Sequence, residues 1–122
     1  MTTPNPENVN VSFYDTAKRE IVDFVPRDPG KVSIYSCGPT VYDVPHLGHG
    51  RTAFTYDLIR RFFRYIGYEV TLARNITDIE DKIIAKAAVE NVEESVITKR
   101  YEQSYLEQLD SLGIERPEYD PH

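Results

Sequence analysis

Apolar and polar residues alternate from Val9 to Tyr14 and again from Glu20 to Val25, on either side of the polar stretch Asp15–Arg19. A period of two marks half-buried strands, so the two runs predict a small β-hairpin, ended by Pro26 and the turn sequence Asp28-Pro29-Gly30. Val32-Ser33-Ile34-Tyr35-Ser36-Cys37 predicts another strand, running into a Gly-Pro break. From about Gly48 to Ile66 the period changes: Tyr56, Ile59, Phe63 and Ile66 fall three, four and three residues apart, one stripe of an amphipathic helix, with Gly67 placed to cap it. Glu69 to Ile76 is strand-like again, and Thr77 or Asp78 is expected to cap a helix that buries Ile79, Ile83 and Ala87. A last helix is expected from about Glu94 to Leu112. It would bury Ile97, Tyr101, Tyr105, Leu109 and Leu112, with Gly113 closing it and Pro117 just beyond.

Strand, helix and strand at this spacing make a βαβ unit with parallel strands, which points to an α/β nucleotide-binding fold of Rossmann-like type. Residues 1–8 are expected to be a disordered lead-in, and residues 9–122 to form part of one domain. A two-stranded parallel sheet followed by two helices leaves a sheet edge unpaired. A continuing chain or a partner is therefore expected.

Bulk properties narrow the class without naming it. The chain has 122 residues, 40% hydrophobic and 28% charged, as in ordinary globular domains. No apolar run approaches the roughly 20 residues of a membrane span, and the polar start from Met1 to Asn10 lacks a secretory h-region. One cysteine excludes an internal disulfide and makes a reducing cytoplasm the expected compartment. A net charge of −6 argues against a generic nucleic-acid-coating domain. Arg60, Arg61 and Arg64 form a local basic cluster, read here as a solvated helix face.

Chemistry concentrates in Cys37-Gly38-Pro39-Thr40-Val41-Tyr42-Asp43-Val44-Pro45-His46-Leu47-Gly48-His49-Gly50-Arg51-Thr52. The segment starts at the carboxyl end of a predicted strand, where open α/β sheets bind ligands, and ends inside a predicted helix. A helix amino terminus offers unpaired N–H groups and the positive end of the macrodipole, both suited to phosphate. His46 and His49 at that terminus would place two imidazoles near one phosphate, and Gly48 between them leaves room for a base or ribose. An imidazole N–H can donate to an oxygen gaining charge in a transition state. A bare His-x-x-His pair is also compatible with a surface or metal-binding role, although no acidic neighbour supplies a His-Glu-x-x-His zinc-protease pattern.

Cys37-Gly38-Pro39-Thr40-Val41-Tyr42-Asp43, His46-Leu47-Gly48-His49 and Arg74-Asn75-Ile76-Thr77-Asp78-Ile79-Glu80-Asp81-Lys82-Ile83 resemble the cysteinyl-tRNA synthetases. His46-Leu47-Gly48-His49 is similar to the His-Ile-Gly-His signature of the class I enzymes. The resemblance runs from about Val9 to the end and implies a partial HUP-type Rossmann-like fold, a hairpin before its βαβ core and two helices after it. The implied reaction joins ATP, with Mg, to L-cysteine as cysteinyl-adenylate, then passes the cysteinyl group to tRNA(Cys). His46 and His49 would stabilise the pentavalent α-phosphate. Thr52, Asn75 and Thr77 would line the adenylate pocket, Gly38 and Thr40 would meet the amino-acid portion, and Gly48 belongs to the ATP signature. Thr52 as a plain helix-face hydroxyl and Thr77 as an N-cap are the alternatives.

For Cys37 the resemblance implies a zinc ligand, the others coming from much later in the chain. The alternative is a small buried hydrophobe. A thiophilic metal suits an enzyme that must tell cysteine from serine, because the substrate sulfur can take its open position. The family's further zinc ligands, lysine-rich signature loop and anticodon-binding domain all lie downstream of the matched region, and His122 stands where the family usually has Arg. The chain therefore reads as an amino-terminal part of a monomeric cytoplasmic enzyme, expected on its own neither to form adenylate at a useful rate nor to hold zinc tightly. Two other readings stay open: a mycothiol-pathway cysteine ligase, and a stand-alone nucleotide-binding or interaction module.

Overall fold

The computed structural model describes residue 5 and residues 8–122, so nearly all of the expected disordered lead-in, residues 1–8, lies outside the described residues. β1 (Ser12–Asp15) and β2 (Glu20–Asp23) form the predicted antiparallel hairpin, each shorter than its alternating run. Asp15 Oδ1 accepts from the backbone N–H groups of Ala17 and Lys18 at 2.8 and 3.1 Å, which shapes the turn. Phe24 follows β2 and packs on Phe63, ring centroids 4.9 Å apart, fastening the hairpin to the main body.

β3 (Lys31–Ser36) and β4 (Glu69–Arg74) pair in parallel, from Lys31 beside Glu69 to Ser36 beside Arg74, with α1 (Leu47–Tyr65) as the crossover. α2 (Asp81–Glu90) and α3 (Glu94–Ser111) follow. Val32, Val70, Phe63 and Ile66 seal α1 to the sheet. Ala53, Tyr105, Leu109 and Ile114 join α1 to α3, and Ile83, Ala87 and Ile97 join α2 to α3. Gly67 ends α1 at φ +103°, and Gly113 follows α3 at +71°, a conformation that glycine adopts without a Cβ penalty. Among the described residues, no helix is long and apolar enough to cross a membrane.

Four details depart from the sequence pattern. The outer edge of β4 is covered: the N–H groups of Glu118, Arg74 and Ile76 donate to the carbonyls of Leu72, Tyr119 and Pro121 at 3.0, 3.0 and 2.9 Å, laying residues 118–121 along β4 as a third rank. Arg60 is not solvated but fully buried, bonded to Asp57 Oδ1 at 2.7 Å and to the carbonyls of Glu115 and Arg116 at 2.7 and 2.9 Å. Arg61 and Arg64 of the same cluster stay at the surface and bind Asp57 and Glu115. α2 starts one turn later than expected, with Glu80 at its N-cap position and no side-chain cap, so Ile79 is 77% exposed. Leu112, expected on the inward face, is the C-cap residue of α3 and is exposed.

Candidate active site

The carboxyl ends of β3 and β4 lie side by side, so the segments that follow them leave the same edge of the sheet and are laced together. Thr77 N–H donates to the Pro39 carbonyl at 3.0 Å, Val41 N–H to the Thr77 carbonyl at 3.2 Å, and Thr40 and Thr77 form a parallel bridge. Asn75 N–H donates to the Ser36 carbonyl at 3.3 Å, while its Oδ1 accepts from Gly38 N–H at 2.8 Å. The Asn75 carbonyl presses against the face of Gly38 where a Cβ would sit, so position 38 has no room for a side chain. Gly38, Thr40, Asn75 and Thr77 thus meet as one backbone lattice. Thr77 caps no helix.

His46 is the N-cap residue of α1, and the two histidines cap the helix reciprocally. Gly48 N–H donates to His46 Nδ1 at 3.1 Å, and His46 N–H donates to His49 Nδ1 at 3.2 Å. Their rings stack at 4.0 Å with 24° between planes. A Cβ on Gly48 would approach His46 Cε1 to 2.9 Å, so the missing side chain at 48 makes room for that ring. Because each Nδ1 accepts from an amide, each neutral ring carries its proton on Nε2. Burial, with His46 beside it, holds His49 below its ordinary pKa and favours this neutral donor form.

His49 faces a cleft of about 260 Å³ that also takes in Cys37, Gly38, Thr52, Arg74 and Tyr105. A neighbouring cleft of about 280 Å³ shares His49 and Tyr105 and adds His46. Cys37 is exposed, which removes the buried-hydrophobe reading. Thr52 Oγ1 donates back to the Gly48 carbonyl at 3.1 Å, an ordinary helix-face bond, while the residue borders the cleft. The structure therefore gathers Cys37, Gly38, His49 and Thr52 at one opening, sets His46 next door, and keeps Thr40, Asn75 and Thr77 in the lattice beneath.

Residues 23–122 match the family described as tRNA synthetases class I (C) catalytic domain. The chain belongs to that family. A cysteine--tRNA ligase of Wolinella succinogenes is 50% identical over 111 residues, covering 91% of this chain and 24% of its own. The enzyme of the same name from Arthrobacter sp. is 47% identical, with 89% and 25% covered, and that of Streptomyces coelicolor 47%, with 95% and 19%. The chain thus spans about a quarter of the length of the curated relatives it matches. Two structures of Mycobacterium tuberculosis methionyl-tRNA synthetase with methionyl-adenylate share the fold. Their TM-scores are 0.67 and 0.69 at 21% and 20% identity, over 71% and 73% of this chain and 17% and 18% of theirs. The α/β, Rossmann-like class expected from the element order is the fold of these class I catalytic domains.

Within this class I catalytic domain, sequence reasoning gave Arg74 no role beyond its place in a motif, and Tyr105 none beyond the inward face of the last helix, where it is buried. Arg74 is 3% exposed, its Nη1 and Nη2 make no hydrogen bond, and its guanidinium lies 5.8 Å from the centre of the Tyr105 ring. The signal was present in the strand: Val70, Leu72, Arg74 and Ile76 share one face, and all four are buried. For a metal, the exposed thiol of Cys37 fits as one soft ligand. Among the described residues no group of three His, Cys, Asp or Glu side chains stands close enough to hold an ion.

Proposed function

We propose that this chain carries the amino-terminal part of the adenylate-forming site of a cysteine--tRNA ligase. The observation that carries the reading is the reciprocal histidine cap. It leaves one Nε2–H on each of two stacked rings at the positive end of α1, beside a cleft that holds an exposed thiol. An α-phosphate seated there meets two neutral donors already held in place, and donors fixed before the charge develops stabilise a pentavalent phosphate without reorganising.

ATP, with Mg, and L-cysteine are the proposed substrates and tRNA(Cys) the proposed acceptor. Cys37 would contribute one thiolate to a zinc ion whose other ligands lie outside these 122 residues, and that metal, when bound, would take the substrate sulfur and reject a serine hydroxyl. Gly38 and Thr40 would border the amino acid. Gly48, Thr52, Asn75 and Thr77 would shape the adenylate side, the lattice holding both segments at fixed separation. The relatives named above are tRNA ligases, which favours the tRNA reaction over the amino-sugar ligase; the full-length enzyme is proposed as a cytoplasmic monomer.

The test replaces the matching quarter of the Wolinella succinogenes enzyme with this chain. Cysteine-dependent pyrophosphate exchange is expected in the chimera and not in the 122-residue chain alone. A folded chimera that binds ATP but shows no cysteine-dependent exchange would overturn the reading.

A further inference from the structure

Among the described residues, Arg74 is a buried cation whose Nη atoms have no hydrogen-bonded or ion-paired partner. The Asp57 carboxylate, whose field favours the charged guanidinium, is committed through Oδ1 to Arg60 at 2.7 Å and through Oδ2 to Arg61 at 2.8 Å. Arg60 and Arg116 act on Arg74 as like charges. Among the described residues, none that lines the cleft of Arg74 is acidic, although the chain has 20 acidic residues, and the cleft opens beside the positive end of α1. Burial disfavours the charged form of Arg74, yet a guanidinium keeps its proton at neutral pH, so the charge waits for an anion.

We propose that Arg74 is the receptor for the carboxylate of a small amino-acid ligand in this cleft. Both Nη groups are unpartnered, and a guanidinium grips a carboxylate best through two parallel N–H donations. Tyr105, its ring centre 5.8 Å from the guanidinium carbon and itself 3% exposed, lines the same cleft. A carboxylate held there stands in the same cleft as His49 and Cys37, with its side chain free to reach toward the thiol. This deepens the proposed function and rests on it for the identity of the amino acid. The anion site itself rests on Arg74.

Thermal unfolding of the 122-residue chain tests it, with L-cysteine, L-alanine, cysteine methyl ester and inorganic phosphate as probes. Both free amino acids are expected to raise the melting temperature and the ester is not. Arg74→Met is expected to melt at the same or a higher temperature without ligand, since it removes an unpaired buried charge, and to lose the response. Arg74→Lys keeps the charge but not the fork and should respond weakly. In the chimera, Arg74→Met is expected to raise KM for cysteine roughly tenfold to a hundredfold, with KM for ATP unchanged. A lowered ligand-free melting temperature in Arg74→Met, an ester as effective as the acid, stabilisation by phosphate alone, or no carboxylate response would each overturn the proposal. Carboxylate responses that depend on Arg74, in a chimera without cysteine-dependent exchange, would sink the cysteine reading and leave this site standing. Exchange that is insensitive to Arg74→Met would do the reverse.

Discussion

Asn75 holds Gly38 from two sides: its Oδ1 accepts the Gly38 N–H at 2.8 Å, and its own carbonyl fills the space a Cβ on residue 38 would need. The neighbour is backbone tied into the lattice through Ser36, so it cannot turn away as a side chain could. Gly38→Ala is expected to lose about 3 kcal/mol, the upper end of overpacking costs, in urea unfolding. Asn75→Ala, which only removes an acceptor, should cost about 1 kcal/mol.

The reciprocal cap separates fold from chemistry at His46. His46→Asn keeps a side-chain acceptor and should hold the stability of the isolated chain, whereas His46→Ala should lose about 1 kcal/mol. Neither keeps the Nε2 donor, so both chimeras are expected to lose about 2.7–4 kcal/mol of transition-state stabilisation in pyrophosphate exchange. An Asn chimera with wild-type exchange would show the ring to be a cap only.

His49 carries a pH signature of definite sign. Its folded pKa lies below the unfolded value of about 6.5, so the unfolded chain binds more protons between the two. Stability supplied by neutral His49 is full above about 6.5 and falls as pH drops from there through the folded value. His122 works in the opposite sense. The hydrogen bond to Glu102 raises its pKa, so its contribution is full below about 6.5 and is lost as pH rises through the folded value. Melting temperatures of a His122→Gln background across this range should therefore fall on the acid side, and a further His49→Gln change should flatten the curve.

Asp57 and Arg60 form a buried pair, 5% and 0% exposed at their side chains. Asp57→Ala would leave Arg60 inside without its carboxylate, and the expected loss is about 3–5 kcal/mol in denaturant unfolding. Burial raises the Asp57 pKa, but its bonds to Arg60 and Arg61 outweigh that and hold it below the usual range. Its contribution is accordingly present above about 3.9 and vanishes as acid takes the pH down through the folded value. The variant should lack this acid-side loss.

Cys37 should behave oppositely. Its thiol is free and exposed, so Cys37→Ser is expected to change the stability of the chain by less than about 0.5 kcal/mol. The same change in the chimera should abolish cysteine-dependent exchange while ATP binding persists.

Periodicity exposed the hairpin, the βαβ core and two of the helix ends because each rests on local chemistry, such as the positive-φ glycine after α1 or the period-two face of β4. It misread Arg60 because charge was taken as a mark of the surface, although Ala53, Asp57, Arg60 and Phe63 form one continuous buried stripe on α1. The same assumption hid Arg74. α2 was misplaced because Thr77 and Asp78 look like capping residues, while the Thr77 backbone is committed to Pro39 and Val41 across the site. Residues 118–121 gave no strand signal, since Pro117 and Pro121 break any alternation and the pairing is long-range. The position of the histidine pair at a helix start was readable from its motif, whereas the reciprocal cap and the tautomer needed coordinates.

With residues 118–121 in place, β4 is an inner strand, gripped by Ser36 from one neighbour and Tyr119 from the other at the very residue that bears the lone guanidinium. Loosening residues 118–121 would release one of those two grips. That segment is therefore mechanically wired to the charge inside the cleft, and a lesion in it should be felt first as poorer aim of Arg74, before the globule melts.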